Sequence, residues 1–174
     1  MPRKRLAVPA LLASLLFVPA AHSAEPTTTL RLDVICPLKL GMRVTAARQT
    51  GWLSERRTGC PLGGPPLPVT YRLGGRRAPA GVRSIAEFDR GRLTVLSFTR
   101  GVRTSAGVTV GVTSPARMVA RYRALPGFTA SARFDSTFQG TFTTVRRGAR
   151  QVLGGFGDGA VVAQLAIPAV PLCE

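Results

Sequence analysis

Residues 113–135 read TSPARMVARYRALPGFTASARFD, and this stretch combines the two periodicities that decide the fold. In its first half, one apolar stripe at helical spacing is formed by Met118, Val119, Tyr122 and Leu125. Arginines occupy the opposite side, so we predict an amphipathic helix that is capped by Thr113 and packs on a sheet. From Phe128 to Asp135 apolar residues alternate with polar ones, which predicts a strand with one solvated face.

Two markers of this region recur earlier in the chain at nearly equal offsets. Residues 38–48 resemble residues 108–118, and residues 87–93 resemble residues 155–161. A repeated order of this kind indicates a duplicated unit of about 70 residues. We therefore predict an α+β fold with two repeats, each a short helix followed by an antiparallel three-stranded meander.

The predicted repeats span residues 25–103 and 104–174 and form one compact unit. The first helix is expected to run roughly from Val44 to Thr50 and to end before Gly51. A proline-rich loop, CPLGGPPLP, follows it at residues 60–68. The glycine-rich run GGFGDG at residues 154–159 predicts a hairpin turn and not a phosphate-binding loop, because no helix and no lysine follow it.

The first 24 residues have the pattern of an export signal. Residues 3–5 are basic, an apolar run extends from Leu6 to Ala21, and small residues follow. The run is shorter than the ~20 apolar residues that a spanning helix needs, so we predict cleavage after Ser23 or Ala24. The mature protein is then expected to have no transmembrane segment and to be secreted or to lie on the exterior of the cell envelope.

Export would place the three cysteines in an oxidising environment, where one pair can form a disulfide bond. The sequence allows three pairings of Cys36, Cys60 and Cys173. We favour Cys60 with Cys173, because this bridge would fix a chain end that otherwise frays. Cys36 is then either a buried thiol or an intermolecular handle.

Several short segments carry a resemblance to a known family. They are Leu40-Gly41-Met42, Thr50-Gly51-Trp52-Leu53, Gly59-Cys60, Val110-Gly111-Val112-Thr113 and Leu172-Cys173-Glu174. In these features the chain resembles tandem-repeat secreted bacterial proteins of the β-lactamase inhibitory protein type. It is still more similar to uncharacterised exported actinobacterial proteins that end in a Cys-containing tail. The resemblance implies helices packed on an antiparallel sheet.

The same comparison shows departures that bear on function. The inhibitory type places paired cysteines inside each repeat, whereas Cys60 has no counterpart near Ala130. It also has an aromatic-rich contact face, and aromatic residues are only 6% of this chain. The resemblance therefore does not imply inhibition of a β-lactamase.

Few residues suited to catalysis remain once the signal is removed. The single histidine, His22, lies in the predicted signal, so the mature protein has no imidazole for acid–base chemistry or metal binding. The eight carboxylates fall mostly in predicted turns or termini, and no pair has a spacing typical of a glycosidase. We expect no enzyme, with no catalytic residue, no cofactor and no metal site.

Basic residues are in large excess, with 24 lysines and arginines against eight carboxylates. From Glu25 onward 21 basic residues face the same eight acidic ones, which gives a net charge of +13, and 20 of the 21 are arginines. The pairs Arg76-Arg77 and Arg146-Arg147 are candidate anion-binding residues, because guanidinium groups suit phosphate and carboxylate. The alternative is a solvated surface that is basic by composition only.

Together these features favour an exported non-catalytic domain that binds a protein or an envelope component of unknown identity. The proline-rich loop and the loop from Gly74 to Arg77 are the expected contacts, since loops on a scaffold commonly carry function. The alternative is a basic electrostatic binder of an acidic polymer, such as a cell-wall polyanion, lipid headgroups or DNA, without specific nucleic-acid recognition. The identity of the partner and the oligomeric state stay open at this stage.

Overall fold

The computed structural model describes residues 28–35, 37–59 and 66–171. Strands account for 49% of these residues and helices for 11%. The helices are α1 (Val44–Gln49) and α2 (Pro115–Arg123). The strands are β1 (Thr28–Leu30), β2 (Val34–Ile35), β3 (Leu38–Lys39), β4 (Leu53–Thr58), β5 (Val69–Leu73), β6 (Arg83–Asp89), β7 (Arg92–Arg100), β8 (Val102–Thr104), β9 (Phe128–Asp135), β10 (Gly140–Arg147), β11 (Arg150–Gly157) and β12 (Gln164–Ile167).

Eight of these strands form one antiparallel sheet in the order β4-β5-β6-β7-β12-β11-β10-β9. In its middle, β7 pairs with β12, which places Phe98 opposite Leu165 and Leu96 opposite Ile167. Two small strand pairs lie outside this sheet: β1 runs parallel to β8, and β2 runs antiparallel to β3. The pairing of β7 with β12 therefore joins the strands on either side of it into one sheet.

The predicted α+β fold of two repeats, each a short helix followed by a three-stranded meander, is wrong. The protein is mostly β, five strands follow α1 and four follow α2, and all of these except β8 belong to one sheet. In the first half the missed strand is β4, which precedes the proline-rich loop. Its sequence LSERRT is mostly polar and exposed because the strand forms an outer edge of the sheet. A strand with this sequence lacks the alternation that marks a half-buried strand.

Ser114 caps helix α2. The sequence had predicted Thr113 as the cap, and that prediction is wrong. The Ser114 hydroxyl accepts a hydrogen bond from the backbone N–H of Arg117 at 3.3 Å, and Pro115 occupies the first turn. The Thr113 hydroxyl accepts instead from the backbone N–H of Thr109 at 2.9 Å. The predicted cap thus shapes the loop before the helix.

The predicted apolar stripe packs on the sheet through Met118 and Tyr122, whereas Leu125 lies past the end of α2 and is exposed. Met118 and Tyr122 are 0% and 1% exposed, and the Tyr122 ring centroid lies 5.9 Å from that of Phe128 on β9. From the last turn of the helix, Arg123 Nε donates a hydrogen bond to the carbonyl oxygen of Ala130 on β9 at 2.8 Å. The N-terminal segment adds to the same core the side chains of Leu30, Ile35, Leu38 and Ala47. One face of the sheet is thereby covered.

Several local predictions agree with the structure. Strand β9 has the predicted bounds, and α1 ends one residue before the predicted end. The β6–β7 hairpin turns through Arg90 and Gly91, with φ angles of 46° and 74°.

The glycine-rich run at residues 154–159, which was predicted to be a hairpin turn, is a turn only at its end, because residues 154–157 belong to β11. A Cβ atom on Gly154 would lie 2.8 Å from the backbone nitrogen of Val170, so this glycine lets the C-terminal tail cross the sheet.

The predicted export signal, residues 1–24, lies outside the described residues. In the part of the chain that the structure covers, no helix is long and apolar enough to cross a membrane. The expected boundary between residues 103 and 104 falls within β8, which pairs with β1.

Candidate binding surface

The side of the eight-stranded sheet that faces away from the core is the candidate site, and we call it the open face. On β6, Ala86 and Phe88 are buried in the core, whereas the alternating residues Ile85 and Glu87 project to the open face. Ile85 is 48% exposed although it lies on an interior strand. Both helices contribute residues to the core on the other side. A large apolar side chain on the open face is therefore left in contact with solvent.

A groove of about 330 Å³ lies on the open face over β5, β6 and β7. A second groove of about 650 Å³ adjoins it, since Ile85, Ser97 and Gln164 line both. The Gln164 amide donates a hydrogen bond to the Ser97 hydroxyl from the neighbouring strand. Gly59, just after β4, and Pro171, on the C-terminal tail, also line the smaller groove. The two grooves form a continuous depression of mixed apolar and hydroxyl character.

Glu87 is the carboxyl group of the smaller groove. In cross-strand register it lies between Thr70 on β5 and Val95 on β7, and it is half-buried. Burial raises the pKa of Glu87 above its ordinary value, and the nearby Asp89 carboxylate raises it further. Among the described residues its carboxylate has no ion-pair partner. Glu87 is thus a half-buried carboxyl group that makes no ion pair with the described residues, although Arg57 lines the same groove.

Arginines on the outer strands border this depression. Glu55 lies in a β-bulge of β4 with a φ angle of 23°, and its carboxylate contacts Arg57 at 2.9 Å and Arg72 at 3.4 Å. All three side chains are more than half exposed, so these ion pairs contribute little to stability. Their main effect is to hold two guanidinium groups beside the groove.

Three phenylalanines meet on the far half of the open face, and we call them the phenylalanine cluster: Phe138, Phe142 and Phe156. Phe142 lies opposite Phe156 in the β10–β11 register, with ring centroids 4.8 Å apart. Phe138 packs edge-on against Phe142 at 5.6 Å. All three are only partly buried. The sequence prediction missed this cluster, because strand register and not sequence spacing brings the three rings together.

The two predicted anion-binding pairs are far from each other. Arg76 and Arg77 follow the end of β5, whereas Arg146 and Arg147 form the end of β10. In the sheet order β5 and β10 are five strand spacings apart and run antiparallel. Their C-terminal ends therefore lie at opposite ends of the strands in the sheet. Five spacings amount to roughly 24 Å. The structure does not bring the four arginines together into one site.

Each arginine pair has its own surroundings. Arg76 and Arg77 line a cavity of about 850 Å³ together with Gln49 and Gly74. Arg147 lies over the Phe128 ring, with its guanidinium carbon 5.7 Å from the ring centroid. The first pair therefore borders a concave surface, and Arg147 has a packing role.

The carboxylates of the described residues do not assemble into a metal site. No group of three or more histidine, cysteine, aspartate or glutamate side chains suited to a metal occurs there. Asp158 accepts hydrogen bonds from the backbone N–H groups of Val161 and Ala160, and these bonds lower its pKa. This carboxylate has the turn role that the sequence suggested for most of them.

All three cysteines, and with them the predicted Cys60–Cys173 bridge, lie outside the described residues. Two described residues close to Cys60 and Cys173 in the sequence, Gly59 and Pro171, line the same groove. Gly59 directly precedes Cys60, and Pro171 precedes Cys173 by two positions. The bridge stays a prediction, and so does the role of Cys36.

Comparisons with known proteins add no relative to this description. No protein-family model matches the chain. No curated protein and no solved structure matches it either. The resemblance to secreted proteins of the β-lactamase inhibitory type therefore stays a prediction from short motifs, and function has to be argued from the open face.

Proposed function

We propose that this chain is an exported, non-catalytic binding protein whose open face contacts a protein or an envelope component. The observation that carries the proposal is the phenylalanine cluster, in which the partly exposed rings of Phe138 and Phe156 both contact Phe142 on the side of the sheet away from both helices. Contiguous exposed apolar side chains of this kind often mark an interaction site on a protein surface.

The composition of the face supports a protein partner. Aromatic residues and arginines are enriched where proteins bind each other, and lysines are depleted. The open face offers the phenylalanine cluster and Ile85 as apolar contacts, with Arg57 and Arg72 at the border. Electrostatic complementarity then favours a partner with acidic groups around its contact surface.

The loop from Gly74 to Arg77, which the sequence analysis favoured as a contact, adjoins this face. Gly74 and Arg72 line the larger groove together with Ile85. The proposed interface therefore extends from the loop onto the sheet, and it reaches residues that the sequence alone did not select.

One observation favours the alternative, an electrostatic binder of acidic polymers. Arg76 and Arg77 border the 850 Å³ cavity, which offers an anion a concave surface beside two guanidinium groups. The arginines on α2 lie on the other side of the sheet, however, so the basic residues are spread around the protein. An even spread draws anions to the whole surface and favours no single site.

Site-specific photo-crosslinking in the producing cells tests the proposal. A benzophenone amino acid replaces Phe142 in one variant, and Phe134 in a matched control. Phe134 is 60% exposed but alternates to the other side of the edge strand β9. We expect a discrete crosslinked product from position 142 that excess unmodified protein suppresses. Equal products from both positions, or a product from position 134 alone, would contradict an interface on the open face.

A further inference from the structure

The smaller groove on the open face combines an apolar lining with one carboxyl group. Ile85, Val95 and Pro171 provide apolar atoms, Thr70 provides a methyl and a hydroxyl group, and Ser97 provides a hydroxyl group. Glu87 lies among them, half-buried and without an ion-pair partner in the described part of the chain. An ionised carboxylate in such surroundings gains more from a cation than one in open water does.

The nearest arginine of the groove is committed elsewhere. Arg57 and Glu87 occupy the same cross-strand row with Thr70 between them, which separates their backbones by two strand spacings, roughly 10 Å. The Arg57 guanidinium contacts Glu55 at 2.9 Å. Glu87 is half-buried and makes no ion pair with a described arginine, although the chain has 24 basic residues and eight acidic ones.

We infer that this groove receives an alkylammonium group, namely the side chain of a lysine that the partner presents. The inference rests on the proposed function and specifies it further. The methylene stem of a lysine would lie against Ile85 and Val95, and its compact ammonium group would meet the Glu87 carboxylate. The arginines at the border repel a second cation nearby, so the partner's lysine is surrounded by neutral or acidic residues.

The inference can be tested without knowing the partner, by NMR titration of the isotope-labelled full mature protein. Hexylammonium is the probe and 1-hexanol is its uncharged match, at near-neutral pH. We expect hexylammonium to shift the backbone amide signals of Ile85, Val95 and Ser97 and to bind about fivefold more tightly than hexanol. Equal affinities, or shifts confined to other regions, would overturn the inference.

Two variants separate the carboxylate from general charge. Glu87→Gln keeps the shape of the side chain and is expected to reduce the preference for the amine to within about twofold. Asp33→Asn removes one charge from the exposed segment between β1 and β2 and should leave the preference unchanged. A preference that persists in Glu87→Gln would contradict a role for this carboxylate. The titrations with hexylammonium and hexanol use the unaltered protein, so they test the inference even if Glu87→Gln does not fold.

The outcomes distinguish this inference from the proposed function. A photo-crosslinked partner at position 142 together with no amine preference would retain the binding face and reject the lysine pocket. An amine preference without any position-specific crosslink would retain the pocket and reject the extended protein interface.

Discussion

Phe142 and Phe156 lie directly opposite each other on β10 and β11, with ring centroids 4.8 Å apart, on the side of the sheet away from both helices. Their contact is partly exposed, in contrast to Tyr122, which is 1% exposed on the core side. The two sides of one sheet thus use aromatic residues differently. The core side buries them for stability, and the open face keeps them accessible.

We expect Phe142→Ala to cost about 1–2 kcal/mol in free energy of unfolding, because the ring loses its aromatic contacts but little fully buried area. Urea denaturation measures the change. Phe134→Ala, at a 60% exposed position, is the control and should cost much less. A loss for Phe142→Ala as large as that of a core substitution would show that the cluster stabilises the fold instead of serving a partner.

Tyr122→Ala should cost roughly 3 kcal/mol in free energy of unfolding, because it leaves a cavity between α2 and the sheet. Leu125→Ala is the matched control on the same stripe, since Leu125 is 37% exposed and loses less buried area. Denaturant titration of both variants gives the comparison. Equal costs would indicate that α2 does not pack through Tyr122.

The raised pKa of Glu87 predicts that the stability of the protein depends on pH. Its pKa is higher in the folded protein than in the unfolded chain, so the folded state binds the proton more tightly. This stabilisation is fully present below the unfolded pKa and is lost as pH rises through the folded pKa. We expect Glu87→Gln to melt at a higher temperature than the unaltered protein near neutral pH, with the difference shrinking in acid. A difference that grows in acid would contradict the assignment.

Salt dependence separates local from diffuse binding of anions. Arg76-Arg77 and Arg146-Arg147 are each replaced by glutamine, with Arg56-Arg57 as control, and retention on heparin is measured against salt. Our proposed function leads us to expect similar losses from all three pairs. A loss concentrated in Arg76-Arg77 would favour a dedicated anion site at the adjacent cavity, provided that the variants unfold at the same denaturant concentration.

The export and disulfide predictions are checked on secreted protein. We expect the mature chain to begin at Ala24 or Glu25 and its intact mass to show one disulfide bond and one free thiol. Peptide mapping should find Cys60 joined to Cys173, since the preceding residues Gly59 and Pro171 line the same groove. A Cys36–Cys60 bridge would contradict this pairing and leave export intact.

Local periodicity was sufficient to predict some elements. Strand β9 and the burial of Met118 and Tyr122 follow from alternation and helical spacing in one short stretch, because core packing imposes these patterns directly. Strand β4 carries no such pattern, because its sequence LSERRT is mostly polar and its side chains are mostly exposed. The pairing of β7 with β12 depends on contacts far apart in sequence, and a local pattern does not encode it.

The candidate site was less predictable than the fold. The segment RSIAEFD, residues 83–89, contains a usable signal. Ile85 is two positions from Glu87, so both lie on the same side of the strand, opposite Phe88. That pattern indicates an apolar residue on the solvated side of a strand. The phenylalanine cluster has no comparable signal, since its rings come from a turn and two strands and meet only through register.

The bulge at Glu55 has a consequence for how copies of this protein meet. A sheet with two free edges can grow by pairing with the edge of another molecule, which leads to aggregates. At one edge, the bulge and the arginines beside it interrupt the regular backbone hydrogen-bond ladder that a strand of another molecule would need. At the other, Arg123 occupies the Ala130 carbonyl. Both edges thus offer fewer regular backbone groups for edge-to-edge pairing with another copy, while the broad side of the sheet remains accessible.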